Sequence, residues 1–186
     1  MTTRGFRCFQ DLLKNRSGAG AIEFALLLPV LIVLYVGAVE IGDAFAAKRK
    51  VTSVTSALGD LVTRTKDISQ PEMSAILAAT PGTVLFPYPV DDDNIAIKVT
   101  CAALDKDKIA TVMWSEVRNA TKDRTGEKIT VPPGVSLPNS KLVSVDVTYD
   151  YEPAIGRWLS DSVNLTSAFY FKPREGDTVC YDGTCC

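Results

Sequence analysis

Few residues in this chain could do chemistry, and the most telling of them is Glu23. It stands at the head of an apolar run in which no side chain from Phe24 to Val39 carries a charge. A carboxylate just inside the start of a membrane-length helix is costly to desolvate, so it marks a functional position by default. The plainer account is that Glu23 rests in the headgroup zone and contacts water. Cysteine is the second reactive type, with Cys8, Cys101, Cys180, Cys185 and Cys186. Their spacing lacks the paired C-x-x-C of a structural zinc site. Asp91-Asp92-Asp93-Asn94 offers oxygen ligands for calcium but not the alternating spacing or distal Glu of an EF-hand loop, so a solvated turn is expected there. Asp146, Asp150, Glu152 and Asp161 could include a hydrolytic carboxylate pair. Asp146 and Asp150, however, fall on the polar face of a strand, where solvated carboxylates are ordinary.

The absences narrow the function further. The chain has no His, which excludes Ser-His-Asp and Cys-His catalysis and removes the commonest metal ligand. No Gly-rich phosphate loop, HExxH or GxSxG sequence occurs. With 20 basic against 22 acidic residues, nothing suggests a polyanionic partner. We therefore expect no enzyme activity, no cofactor, no metal, no small-molecule substrate and no nucleic acid.

The elements that must position these residues begin with one long helix. The mostly apolar stretch from Ala19 to Ala47 fits a membrane span, which needs roughly 17–25 apolar residues. Beyond it, Val51, Val54, Leu58 and Leu61 form one apolar stripe at helical spacing, with Thr52, Ser53, Ser56, Asp60 and Thr63 opposite. A helix from Ala19 to about Arg64 would be about 70 Å long. Pro29 removes one of its hydrogen bonds, and Gly37, Gly42 and Gly59 weaken it locally. A second helix opens at Ser69-Gln70-Pro71-Glu72, with capping-box spacing and Pro in the first turn, and should stop near Thr80-Pro81-Gly82. A loop from Thr83 to Asn94 leads to strands. Ile95–Cys101 and Ile109–Val117 make a hairpin around the polar turn Asp105–Lys108. Asn119–Pro138 reads as a long loop. Leu142–Tyr151 alternates with Val143, Val145, Val147, Tyr149 and Tyr151 on one face, and Leu165–Lys172 is the last strand, with Trp158 on a short turn between the two.

Met1 to Arg16 carries Arg4, Arg7, Lys14 and Arg16 against Asp11 alone, a basic leader of the kind retained in the cytoplasm. Lys48-Arg49-Lys50 at the far end of the span partly offsets that bias. Ala44-Phe45-Ala46 has the look of an A-x-A cut site. A leader that long, with Glu40 and Asp43 ahead of the cut, departs from signal peptides of about 15–30 residues.

Gly18, Glu23 and Phe24, then Leu26-Leu27-Leu28-Pro29-Val30 and Val39-Glu40, resemble the TadE/TadG-like minor pilins (pseudopilins) of tight-adherence type IV pilus systems. The likeness continues more faintly at Trp114-Ser115, Asn119, Tyr149-Asp150-Tyr151-Glu152-Pro153 and Pro173-Arg174. The resemblance implies a leader ending at Gly18, removed by a prepilin peptidase between Gly18 and Ala19. It makes Glu23 the fifth residue of the mature chain and the assembly carboxylate. Cleavage would free an α-amino group at Ala19, cationic at neutral pH. Beside the Glu23 carboxylate of a neighbouring subunit, that amine would neutralise a charge that is expensive alone.

The expected architecture is α+β and pilin-like: a long N-terminal transmembrane and amphipathic helix packed on a small, mainly antiparallel sheet of about four strands. Its divisions are a leader at 1–18, a transmembrane helix at 19–47, a helical extension at 48–66 and a periplasmic head at 67–186. The expected location is the bacterial inner membrane, single-pass, N-terminus cytoplasmic, with possible incorporation into a pilus. Partners would be the prepilin peptidase, the pilus assembly platform and other pilins. An uncut periplasmic scaffold of the same machinery and an adhesive tip binding module are the alternatives. Beyond the membrane, Cys101, Cys180, Cys185 and Cys186 would form two disulfides. Cys180–Cys185 with Cys101–Cys186, and Cys180–Cys186 with Cys101–Cys185, both remain open, as does a bond to a partner subunit.

Overall fold

The structure, a computed structural model, describes residues 18–153, 162–174 and 176–186. Helix α1 (Ala19–Arg64) continues through Pro29. Two compact units divide the chain, Met1–Gly42 and Asp43–Cys186. In the first unit the described residues are helical and their large apolar side chains, from Ile22 to Tyr35, are exposed. The helix is long and apolar enough to cross a membrane.

The second unit is built around the remainder of α1. Ala47, Val51, Val54, Leu58 and Val62 are all fully buried. Here the sequence reading needs correction: Leu61 is 43% exposed, and Val62 holds the end of the stripe. The reason is the helical period, since eleven residues from Val51 make about three full turns whereas ten fall short. Thr63, expected on the polar side, is also buried, with its hydroxyl donating to the Gly59 carbonyl at 2.7 Å.

After α1 come β1 (Asp67–Ile68), α2 (Gln70–Val84), β2 (Ile95–Leu104), β3 (Ala110–Arg118), β4 (Lys128–Ile129), β5 (Lys141–Tyr151), β6 (Val163–Phe171), β7 (Cys180–Tyr181) and β8 (Thr184–Cys185). The main sheet has the order β4-β3-β2-β5-β6 and is antiparallel throughout. A smaller sheet, β1-β7-β8, joins its first two strands in parallel. The α+β class is as expected, and the four long strands are those read from the sequence. The additional strands have two residues each, too short to leave a periodic signal. One of them, β4, interrupts the stretch read as a continuous loop from Asn119 to Pro138.

Alternation along the pleat sorts the sheet into two apolar layers. Ile95, Ile97, Val99 and Cys101 of β2 join Val143, Val145, Val147, Tyr149 and Tyr151 of β5 in the core that α1 and α2 cover. Ala102, Leu104, Ala110 and Leu142 make a second cluster, on which Ile129, Val131 and Tyr170 pack. A register shift between Cys101 and Ala102 separates the two.

Helix α2 begins as its sequence foretells. The Glu72 carboxylate accepts from the Ser69 amide at 2.9 Å and from the Ser69 hydroxyl at 2.7 Å, satisfying an end group that the helix leaves free. Its end differs from expectation, because the helix passes through Pro81 and Gly82 to Val84. Pro81 brings no N–H for the Leu77 carbonyl. That carbonyl instead accepts from Arg118 Nη1 at 3.2 Å, across the gap to β3. Tertiary structure thus supplies the donor that the local sequence lacks.

Candidate functional site

The residues that matter most by type lie at the start of α1. Gly18 is exposed and immediately precedes the helix, which opens at Ala19. Glu23 follows on an exposed face, one turn in. Every described side chain from Gly20 to Tyr35 is exposed, so the Glu23 carboxylate is open to a cationic partner.

Residues 18–58 match the family model described as TadE-like protein. The N-terminal segment is thus similar to that family. No curated protein and no solved structure matches the chain. The match bears out the resemblance read from Gly18, Glu23 and the apolar run, and it supports a protein associated with tight-adherence pili. It begins at the glycine of the expected cut and ends at Leu58, inside the helical stripe of the head.

Beyond the TadE-like segment, the residues of the fainter likeness make structural contacts. Trp114 is buried and its Nε1 donates to the Val179 carbonyl at 3.1 Å. Asn119 adopts a left-handed conformation, φ 53°, from which its amide donates to the Ile95 carbonyl at 3.1 Å. The Tyr149 hydroxyl donates to the Pro89 carbonyl at 2.8 Å. Burial and the nearby acids Asp91 and Glu152 push that hydroxyl up to about 12. Arg174 pairs with Asp60 at 2.7 Å, and its amide donates to the Thr63 carbonyl at 3.0 Å. The tail is thereby fastened to the end of α1. Sequence reasoning missed the Asp60–Arg174 and Arg118–Leu77 contacts because their partners are far apart along the chain.

The cysteines come together at that tail. Cys101 is bonded to Cys186 and Cys180 to Cys185. Asp67 lies beside Cys180 and Cys185, but sulfurs bonded to one another offer no thiolate to a metal. Cys8, the rest of the leader to Ser17, Trp158 and Asp161 lie outside the described residues.

Of the acids considered for chemistry, Asp91, Asp150 and Glu152 line one cavity with Tyr88 and Tyr149. The Asp92 carboxylate pairs with Arg118 at 2.8 Å, and Asn94 Oδ1 accepts from the Asp91 amide at 2.9 Å, closing a turn. Asp146 is half-buried rather than freely solvated. Burial raises its carboxyl above the usual range, Lys98 opposes that shift, and Asp123 adds to it. Asp123 itself accepts from Lys98 at 3.0 Å and from the Thr100 hydroxyl at 2.8 Å, which ties the long loop to the outer face of the sheet.

Proposed function

We propose that the chain is a minor pilin or pseudopilin of a tight-adherence pilus. A prepilin peptidase would cut it between Gly18 and Ala19, and the mature subunit would help to initiate, cap or regulate fibre assembly. The observation that carries the reading is the TadE-like match, which starts at residue 18, where α1 is about to begin. Glu23 then serves as the assembly carboxylate, meeting the new α-amino group of a neighbour. The leader stays in the cytoplasm and the head lies in the periplasm, an oxidising compartment to which the paired cysteines are suited. The partners are the peptidase, the assembly platform and other pilins, and the reading calls for no catalysis.

Mass spectrometry of the protein extracted from membranes tests the proposal. The expected N-terminus is Ala19. An intact leader would favour the uncut scaffold, and a chain beginning near Lys48 would point to a signal peptide.

A further inference from the structure

The head presents two large aromatic side chains to solvent close to the point where the chain enters it. Phe86 is 73% exposed and Phe45 is 63% exposed. A single exposed Phe is unremarkable, but these two have a defined setting. The Phe86 segment is held against the first turns of the head's portion of α1 at two points. The Tyr88 hydroxyl donates to the Asp43 carbonyl at 3.2 Å, and Lys50 Nζ donates to the Val84 carbonyl at 3.4 Å. Leu85, between them, is fully buried. Phe86 is therefore on a fastened loop, flanked by anchor points that span about 10 Å of helix from Asp43 to Lys50. The same turns carry Lys48, Arg49 and Lys50. Arg49 is exposed, while Lys48 reaches the Thr166 carbonyl. Asp43 is the one acid on this stretch of the head.

We propose that Phe86, Phe45 and the Lys48–Lys50 cluster form an interfacial footing of the head on anionic phospholipid headgroups. Aromatic rings favour the boundary between hydrocarbon and headgroups, and basic side chains beside them attract anionic lipid. The occupant follows from continuity: the apolar stretch up to Gly42 belongs to the candidate span, and the turns from Asp43 to Lys50 follow it directly in the chain. The inference rests on that span and extends it, giving the head a membrane contact of its own before it is drawn into any assembly.

The test uses the full chain with Phe86→Trp, reconstituted into vesicles of phosphatidylcholine and phosphatidylglycerol, with the parent chain as baseline for its own tryptophans. Lipids brominated near the glycerol end of the acyl chain should quench the added emission, and aqueous acrylamide should lose access to it. Both effects should weaken when phosphatidylglycerol is omitted or when Arg49→Gln is added. Emission open to acrylamide and untouched by brominated lipid, in a chain that still floats with the vesicles, overturns the footing while the span stands. Shielding from acrylamide without lipid quenching means that protein, such as a second copy, covers the ring, and that also overturns it. Equal quenching without phosphatidylglycerol overturns the role of anionic headgroups. A chain that fails to float overturns span and footing together.

Discussion

At Gly59 the last long strand comes so close to α1 that a Cβ would run into the Phe171 ring. The sequence alone suggests only a weak point in a helix, whereas the structure shows a close approach that requires the missing side chain. Gly59→Val should cost about 1–3 kcal/mol through overpacking, read from thermal melting in detergent. Phe171→Leu in the same chain should recover part of that loss, and no recovery would sink the explanation. Glu23 makes a different residue-scale prediction. Glu23→Ala should leave processing intact and lower the amount of this protein in purified fibres or assembly complexes. Unchanged incorporation would end the charge-pairing account. Glu116 adds a pH dependence. Burial works to raise its carboxyl, but hydrogen bonds from Lys122 Nζ at 2.7 Å and the Tyr181 hydroxyl at 2.9 Å outweigh it and hold the group below 4.5. Its stabilisation is thus present above pH 4.5 and fades as pH falls through the lower folded value. Tyr181, pushed up from 10.0 to about 12 by burial and by Glu116, contributes below 10.0 and loses that contribution as pH rises through 12. Glu116→Gln should flatten the acid limb of the melting-temperature profile, and Tyr181→Phe the alkaline limb.

Arg118 joins α2 to the sheet through a carbonyl that proline has left without its helical donor. Removing the guanidinium should cost about 1–3 kcal/mol, since the Leu77 carbonyl would be left poorly satisfied. Restoring a backbone N–H with Pro81→Ala should make Arg118→Ala milder, so a double-mutant cycle in denaturant should show coupling between sites distant in sequence. Additive effects would refute the link. The disulfides act on the same scale. The Cys101–Cys186 bond joins residues 85 apart, and the Cys180–Cys185 bond residues 5 apart. The longer closure restricts the unfolded chain more, by about 2.5 kcal/mol in the loop-entropy view. Cys186→Ser should therefore destabilise more than Cys185→Ser. Non-reducing peptide mapping of Cys185→Ser should still find Cys101 joined to the tail, and a free Cys101 would overturn the pairing.

Across the whole molecule, the division after Gly42 assigns the second part of α1 to the head's core rather than to its anchor. A chain starting at Asp43 should fold in water with native-like melting, whereas one starting at Thr65 should not. The shorter chain lacks Val51, Val54, Leu58 and Val62. Each is worth about 1.5–3 kcal/mol of burial, and together they rival the 5–15 kcal/mol of stability that a domain typically has, roughly. Circular dichroism of the two fragments decides the matter. Much of this architecture was legible in order along the chain. Charge-free length marked the candidate span, a 3.6-residue period marked the stripe from Val51 to Leu58, and strict alternation marked β2 and β5. Gly18 and Glu23 stood out by type and offset, because a carboxylate in an apolar run is conspicuous without any structure. These signals are local, set by the geometry of one element and its solvent. Only the tertiary structure decided that Val62 rather than Leu61 closes the stripe, that Arg118 carries α2 through Pro81, and that β7 runs parallel to β1. It also paired Cys186 with Cys101 and brought Phe171 against Gly59. Each of these depends on groups brought together from distant parts of the chain, and sequence spacing alone does not encode where such groups meet.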